Sequence, residues 1–104
     1  MSLQTRANNL LGNLNVHPPP TLEDVVNSKN FRRFPRRRIY TGYKLLRFVV
    51  ARQSNSLGER DPLVISKLSD FLWANSTSNE KARYIDLANR AKLYHKNLFS
   101  LQKF

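Results

Sequence analysis

Apolar positions in the second half of the chain recur at helical spacing in three stretches, and turn-forming residues separate them. Tyr43, Leu46, Val49 and Val50 fall on one side of a helix that Thr41 is placed to cap, which predicts a helix over 42–53. The segment SNSLGERDP ends it, because Ser, Asn, Gly and Pro together favour turns. Pro62, tolerated in a first helical turn, opens a second helix over 62–74 with Ile65, Leu68 and Leu72 on one side and Trp73 beside them. In NSTSNEK, Thr77 and Glu80 have the spacing of a capping box, two side chains satisfying free amides reciprocally, so a third helix is expected over 78–99. Its apolar stripe is Tyr84, Leu87, Ala88, Ala91, Tyr94, His95 and Leu98, while Lys81, Arg83, Arg90, Lys92 and Lys96 take other faces. No strand pattern competes and no internal repeat is present, so the expected class is all-α.

Residues 1–30 read differently. MSLQTRANNLLGNLNVHPPP is rich in Asn, carries the single charge of Arg6 and ends in three prolines, which favour an extended conformation and cannot continue a helix. This predicts a flexible arm. Thr21, a capping residue followed by first-turn acids at Glu23 and Asp24, makes residues 21–27 either one short helix or a linker.

Length and charge narrow the picture. A chain of 104 residues has room for one small domain, which buries only about 60% or a little more of the surface its unfolded form exposes. Eighteen basic against 7 acidic residues give a net charge of +11, for which nucleic acid is the usual counterpart, ahead of an anionic membrane or an acidic protein. No cysteine is present, so disulfides, zinc knuckles and thiol chemistry are excluded. No apolar run approaches a membrane span or a secretory core, and the expectation is a soluble intracellular protein with no membrane partner. The acids lie scattered at positions 23, 24, 59, 61, 70, 80 and 86, with no Gly-rich phosphate loop, nucleophile elbow or paired-carboxylate spacing. No enzyme, small-molecule substrate or cofactor is expected. His17 and His95 are far apart with no other soft ligand, so no metal is expected either; they read as a loop residue and a half-buried packing residue.

The charge is unevenly spread. Between Val25 and Gly58 there is no acid, and nine basic residues lie between Lys29 and Arg52. FRRFPRRRIYTGY, residues 31–43, sets Arg32, Arg33, Arg36, Arg37 and Arg38 among four aromatic rings. A one-signed block repels itself unless it is solvated or bound to a polyanion. It is either a solvated face, an import signal or part of a nucleic-acid site. Trp73, Tyr84 and Tyr94 read as core residues rather than ligand contacts.

The order of these features resembles an HMG box, the three-helix, L-shaped DNA-binding domain. Ile65-Ser66-Lys67 followed by Trp73 is similar to the family's I-S-K-x-L-G-x-x-W, with Ser69 and Asp70 in place of Leu-Gly. Thr77, Glu80-Lys81, Tyr84, Leu87-Ala88 and Lys92 match the positions that follow without a gap, and Arg38 to Arg47 is similar to the first-helix pattern. The resemblance covers residues 35–101, within a domain expected over 31–104. It implies that the segment before the first helix lies extended along the third, with Phe34 and Pro35 packed on the apolar stripe and Arg36, Arg37 and Arg38 toward DNA. It also implies contacts from Arg47 and Arg52 on the concave side and from Ser66 and Lys67. Thr41 stands at the family's Asn, Lys44 where many members carry an apolar wedge, and Pro62 at a second wedge position. The expected substitute is that Tyr43 and Leu45 flank an opened base step while Lys44 reaches a base edge or phosphate.

The implied function is minor-groove binding and bending of duplex DNA by a monomer. A sequence-preferring transcription regulator in the nucleus, most similar to the fungal mating-type members, is the leading reading, with a protein co-regulator as a possible second partner. An architectural DNA-packaging protein, nuclear or mitochondrial, is one alternative. A basic helical RNA-binding protein is another.

Overall fold

The computed structural model describes residues 2–27 and 41–101, with side chains described as far as residue 94. Among the described residues the chain is all helical: α1 (Leu3–Leu11), α2 (Leu22–Val26), α3 (Gly42–Ser56), α4 (Pro62–Ala74) and α5 (Ser78–Leu101). Each start has a local cause. The Thr41 hydroxyl accepts from the Lys44 amide at 3.1 Å, and the Asp61 carboxylate accepts from the Leu63 amide at 3.0 Å ahead of Pro62. Thr77 and Glu80 close the capping box in both directions, at 2.8 and 3.1 Å. The end of α3 runs past residue 53 because its last turn is closed by a left-handed glycine: Gly58 has φ +92°, and the amides of Gly58 and Glu59 return to the carbonyls of Asn55 and Ser54 at 3.1 and 2.8 Å.

Helix α3 packs against both α4 and α5, α1 packs on α4, and α2 packs on α5. The core joins Leu45, Leu46, Phe48, Val49 and Val50 of α3 to Val64, Ile65 and Leu68 of α4 and to Tyr84, Leu87, Ala88 and Ala91 of α5. Burial along α5 stops at Ala91 among the described side chains, so Tyr94, expected in the core, is 41% exposed. His95 and Leu98 lie outside the described side chains.

The expectation of a flexible arm does not hold for residues 2–27. Leu3, Ala7, Leu10, Leu11 and Leu14 make an apolar stripe at helical spacing, Ser2 caps it by accepting from the Thr5 amide at 3.1 Å, and the stripe joins the core. Arg6 fixes the register of α1: its Nε and Nη2 donate to Glu59 at 2.9 and 2.6 Å, and Nη1 donates to Asp61 at 3.2 Å. Asn15 and Gln53 exchange two hydrogen bonds at 2.8 Å. Val16 is buried, and its carbonyl accepts from the Tyr84 hydroxyl. His17 is no free loop residue. Its ring stands edge-on to Tyr84 at 5.6 Å, and Nε2 shares a hydrogen bond with the Ser76 hydroxyl at 2.9 Å. Residues 21–27 resolve as a helix, with Val25 and Val26 in the core.

The Arg6 clasp makes the docking of α1 sensitive to acid. The hydrogen bond from Arg6, and then the Asp61 amide, hold the Glu59 carboxyl below the usual carboxylate range. A pKa depressed by folding contributes stability above the unfolded carboxylate range and loses it as pH falls through the folded value. Amide shifts of residues 3–11 are therefore expected to move toward random-coil positions on acidification. Glu59→Gln should abolish that pH dependence.

The start of α3 sits in the angle between α4 and α5. A Cβ at Gly42 would lie 2.8 Å from Ile85 Cγ1 and 2.9 Å from the Trp73 ring, with the Ile85 backbone nitrogen at 3.1 Å behind them. Such overpacking costs about 1–3 kcal/mol. Gly42→Ala is expected to lower the midpoint of thermal unfolding, followed by far-UV circular dichroism, by several degrees at least.

Candidate nucleic-acid interface

Helices α3 and α4 are joined by two polar rungs. The Tyr43 hydroxyl donates to Asp70, and Arg47 Nη2 donates to the Ser66 hydroxyl at 3.0 Å. The rungs lie four residues apart on each helix and pair in opposite order, as antiparallel neighbours must. The Tyr43 ring stands edge-on to Trp73 at 6.1 Å, and the Lys81 ammonium lies 5.6 Å above the Trp73 ring. Burial first, then the bond to Asp70, push the Tyr43 hydroxyl up to about 12. It therefore stays a proton donor throughout the physiological range.

The rungs define one exposed side of the helix pair. On α3, helical rotation carries this side from Tyr43 through Arg47 to Lys44; on α4 it runs from Ser66 through Asp70 and Leu63 to Lys67. Lys44 and Lys67 are exposed and Arg47 is half-buried, and among the described residues none of the three is held in an ion pair. The acids elsewhere are largely engaged: Glu59 and Asp61 by Arg6, Asp86 by Arg90 at 3.1 Å. Asp70 on this side is turned into an acceptor for Tyr43. The side thus presents three cations and one internally bonded acid.

The sequence-derived contacts divide on this geometry. Tyr43, Lys44, Arg47, Ser66 and Lys67 come together. Thr41 lies at the same end of α3, with its hydroxyl used as the cap. Leu45 does not belong to the site: it is 1% exposed in the core, because α3 is covered by α4 on one side and α5 on the other, so the expected wedge role is withdrawn. Arg52 follows Arg47 by five residues and is turned roughly 140° away, onto a different side of α3. Arg32, Arg33, Arg36, Arg37 and Arg38 lie outside the described residues. Leu63, absent from the contacts expected from sequence, is 61% exposed on the cationic side. The signal was available, since Leu63 precedes Ser66 and Lys67 by one helical turn.

Among the described residues no three His, Asp or Glu side chains gather, and no helix is long and apolar enough to cross a membrane. Comparison of the chain with protein-family models, with curated proteins and with solved structures found no match.

Proposed function

We propose that the protein binds duplex DNA through the exposed side of the α3–α4 pair, in the manner of an HMG-type three-helix domain acting as a transcription regulator. The observation that carries this is the convergence of Lys44, Arg47 and Lys67 on one side, in a chain of net charge +11 whose remaining acids are mostly taken up internally. Cations free of carboxylates release condensed counterions when they meet phosphates, which supplies affinity independent of sequence. The close approach of the glycine start of α3 to Trp73 of α4 and Ile85 of α5, and the closed capping box, support the HMG-type reading.

With Leu45 in the core, the apolar group available to enter a base step is Leu63, since minor-groove proteins kink DNA with such wedges. Tyr43, half-buried and edge-on to Trp73, does not offer a free ring for stacking unpaired bases, which favours duplex over single-stranded RNA. Competition among four-way-junction DNA, linear duplex and an RNA hairpin at about 0.15 M salt tests the reading. DNA should win, with log affinity falling against log salt at a slope of about −5 for roughly six phosphate contacts. Preference for the hairpin, or affinity indifferent to salt, would remove it.

A further inference from the structure

We infer that α1 extends this surface, so that a duplex lying on α3 and α4 also runs along the Gln4 and Asn8 edge of α1. The inference rests on the duplex-binding reading. Helix α4 touches both α3, at Ser66 and Asp70, and α1, beside Lys67, Leu68 and Phe71. Asp70 links the two seams. It accepts from Tyr43 of α3, and it also lines a groove of about 250 Å³ together with Gln4, Ala7, Asn8 and Leu11 of α1 and Lys67, Leu68 and Phe71 of α4.

Lys67 belongs to both the cationic side and this groove, so a backbone placed on Lys44 and Lys67 meets α1 next. What α1 itself offers there is two exposed amides and no acid, and the one carboxylate of the groove, Asp70, is bonded to Tyr43. Gln4 Nε2 donates to Asn8 Oδ1 at 3.0 Å, which leaves the Asn8 amino group as a donor with no partner among the described residues. Amide groups of this kind contact phosphate and sugar oxygens and the base edges of the minor groove. The triple hydrogen bonding of Arg6 holds α1 in this register before any ligand arrives.

The test is anisotropy titration of a duplex of about 20 base pairs at about 0.15 M salt with charge-changed full-length chains. Gln4→Glu/Asn8→Asp is expected to weaken binding by at least about tenfold, two charges being placed in the phosphate path. Gln4→Lys/Asn8→Lys should strengthen it by a similar factor, a gain that misfolding does not produce. The charge-matched controls are Asn13→Asp/Asn15→Asp and Asn13→Lys/Asn15→Lys. Asn15 is bonded to Gln53, on the side of α3 opposite Lys44, with Asn13 two residues before it, and these controls should change affinity by less than about threefold. If the groove variants shift affinity no more than the controls in either direction, α1 is not part of the surface. If the wild-type chain binds no duplex, the underlying reading falls instead.

Discussion

Neutralising Lys44, Arg47 and Lys67 together, each to Gln, is expected to weaken duplex binding at about 0.15 M salt by on the order of 100-fold. The size follows from counterion release. Each phosphate contact contributes about 0.9 to the slope of log affinity against log salt, so at this ionic strength each lost contact removes roughly 0.7 of a log unit. Three lost contacts amount to about two log units, and the slope should fall from about −5 to about −2 or −3. Arg47 also holds the Ser66 hydroxyl, but that bond is half-exposed at the surface of the pair, and the fold does not hang on it. Arg52→Gln is the matched control. Facing a different side of α3, it should act only through the general field and weaken binding by less than about threefold. Anisotropy titrations of the wild-type, triple-variant and control chains at several salt concentrations check both the loss and the slope.

The largest expected effect on stability lies at Tyr84. Its side chain has no exposed surface, it sits among α3, α5 and the first segment of the chain, and its hydroxyl donates to the Val16 carbonyl. Burial pushes the hydroxyl pKa up, so the group is a donor at every accessible pH. Tyr84→Ala removes a large core side chain and orphans a buried carbonyl, at a cost of about 3–5 kcal/mol. For a small domain whose total stability is on the order of 5–10 kcal/mol, this leaves little folded protein at 37 °C. Tyr84→Phe isolates the hydroxyl and should cost about 1–3 kcal/mol, the penalty of an unsatisfied buried acceptor. Urea unfolding of both variants measures these losses. Near-neutral behaviour of Tyr84→Phe would mean that residues 13–17 are not anchored on α5.

How far the sequence discloses this structure depends on which residues carry each feature. Helices α3, α4 and α5 are legible because Leu46, Val49 and Val50, then Ile65 and Leu68, then Tyr84, Leu87, Ala88 and Ala91 repeat at helical spacing behind recognisable start signals at Thr41, Pro62 and Thr77. Leu45 was misassigned because a single apolar stripe describes a helix covered on one side, whereas α3 is covered on two. Helix α1 was obscured by composition: asparagines and a near absence of charge resemble a disordered tail, while Leu3, Ala7, Leu10 and Leu11 carry the repeat beneath them.

The clasp of Arg6 on Glu59 and Asp61 spans more than 50 positions and has no local signature. The same is true of the rungs from Tyr43 to Asp70 and from Arg47 to Ser66, which exist only once the register of the antiparallel pair is set. Each helix shows half of the pattern, two polar side chains four residues apart. The turn of Arg52 away from Arg47 is legible from helical rotation alone.

The most direct measurement is the map of backbone amide shifts in the full-length chain as duplex DNA is added. Binding through the α3–α4 surface predicts perturbations concentrated at residues 43–47 and 63–70, with the outward side of α5 around Asp86 and Leu93 unchanged. Perturbations centred on α5, with Lys44, Arg47 and Lys67 left unmoved by saturating duplex, would contradict the account.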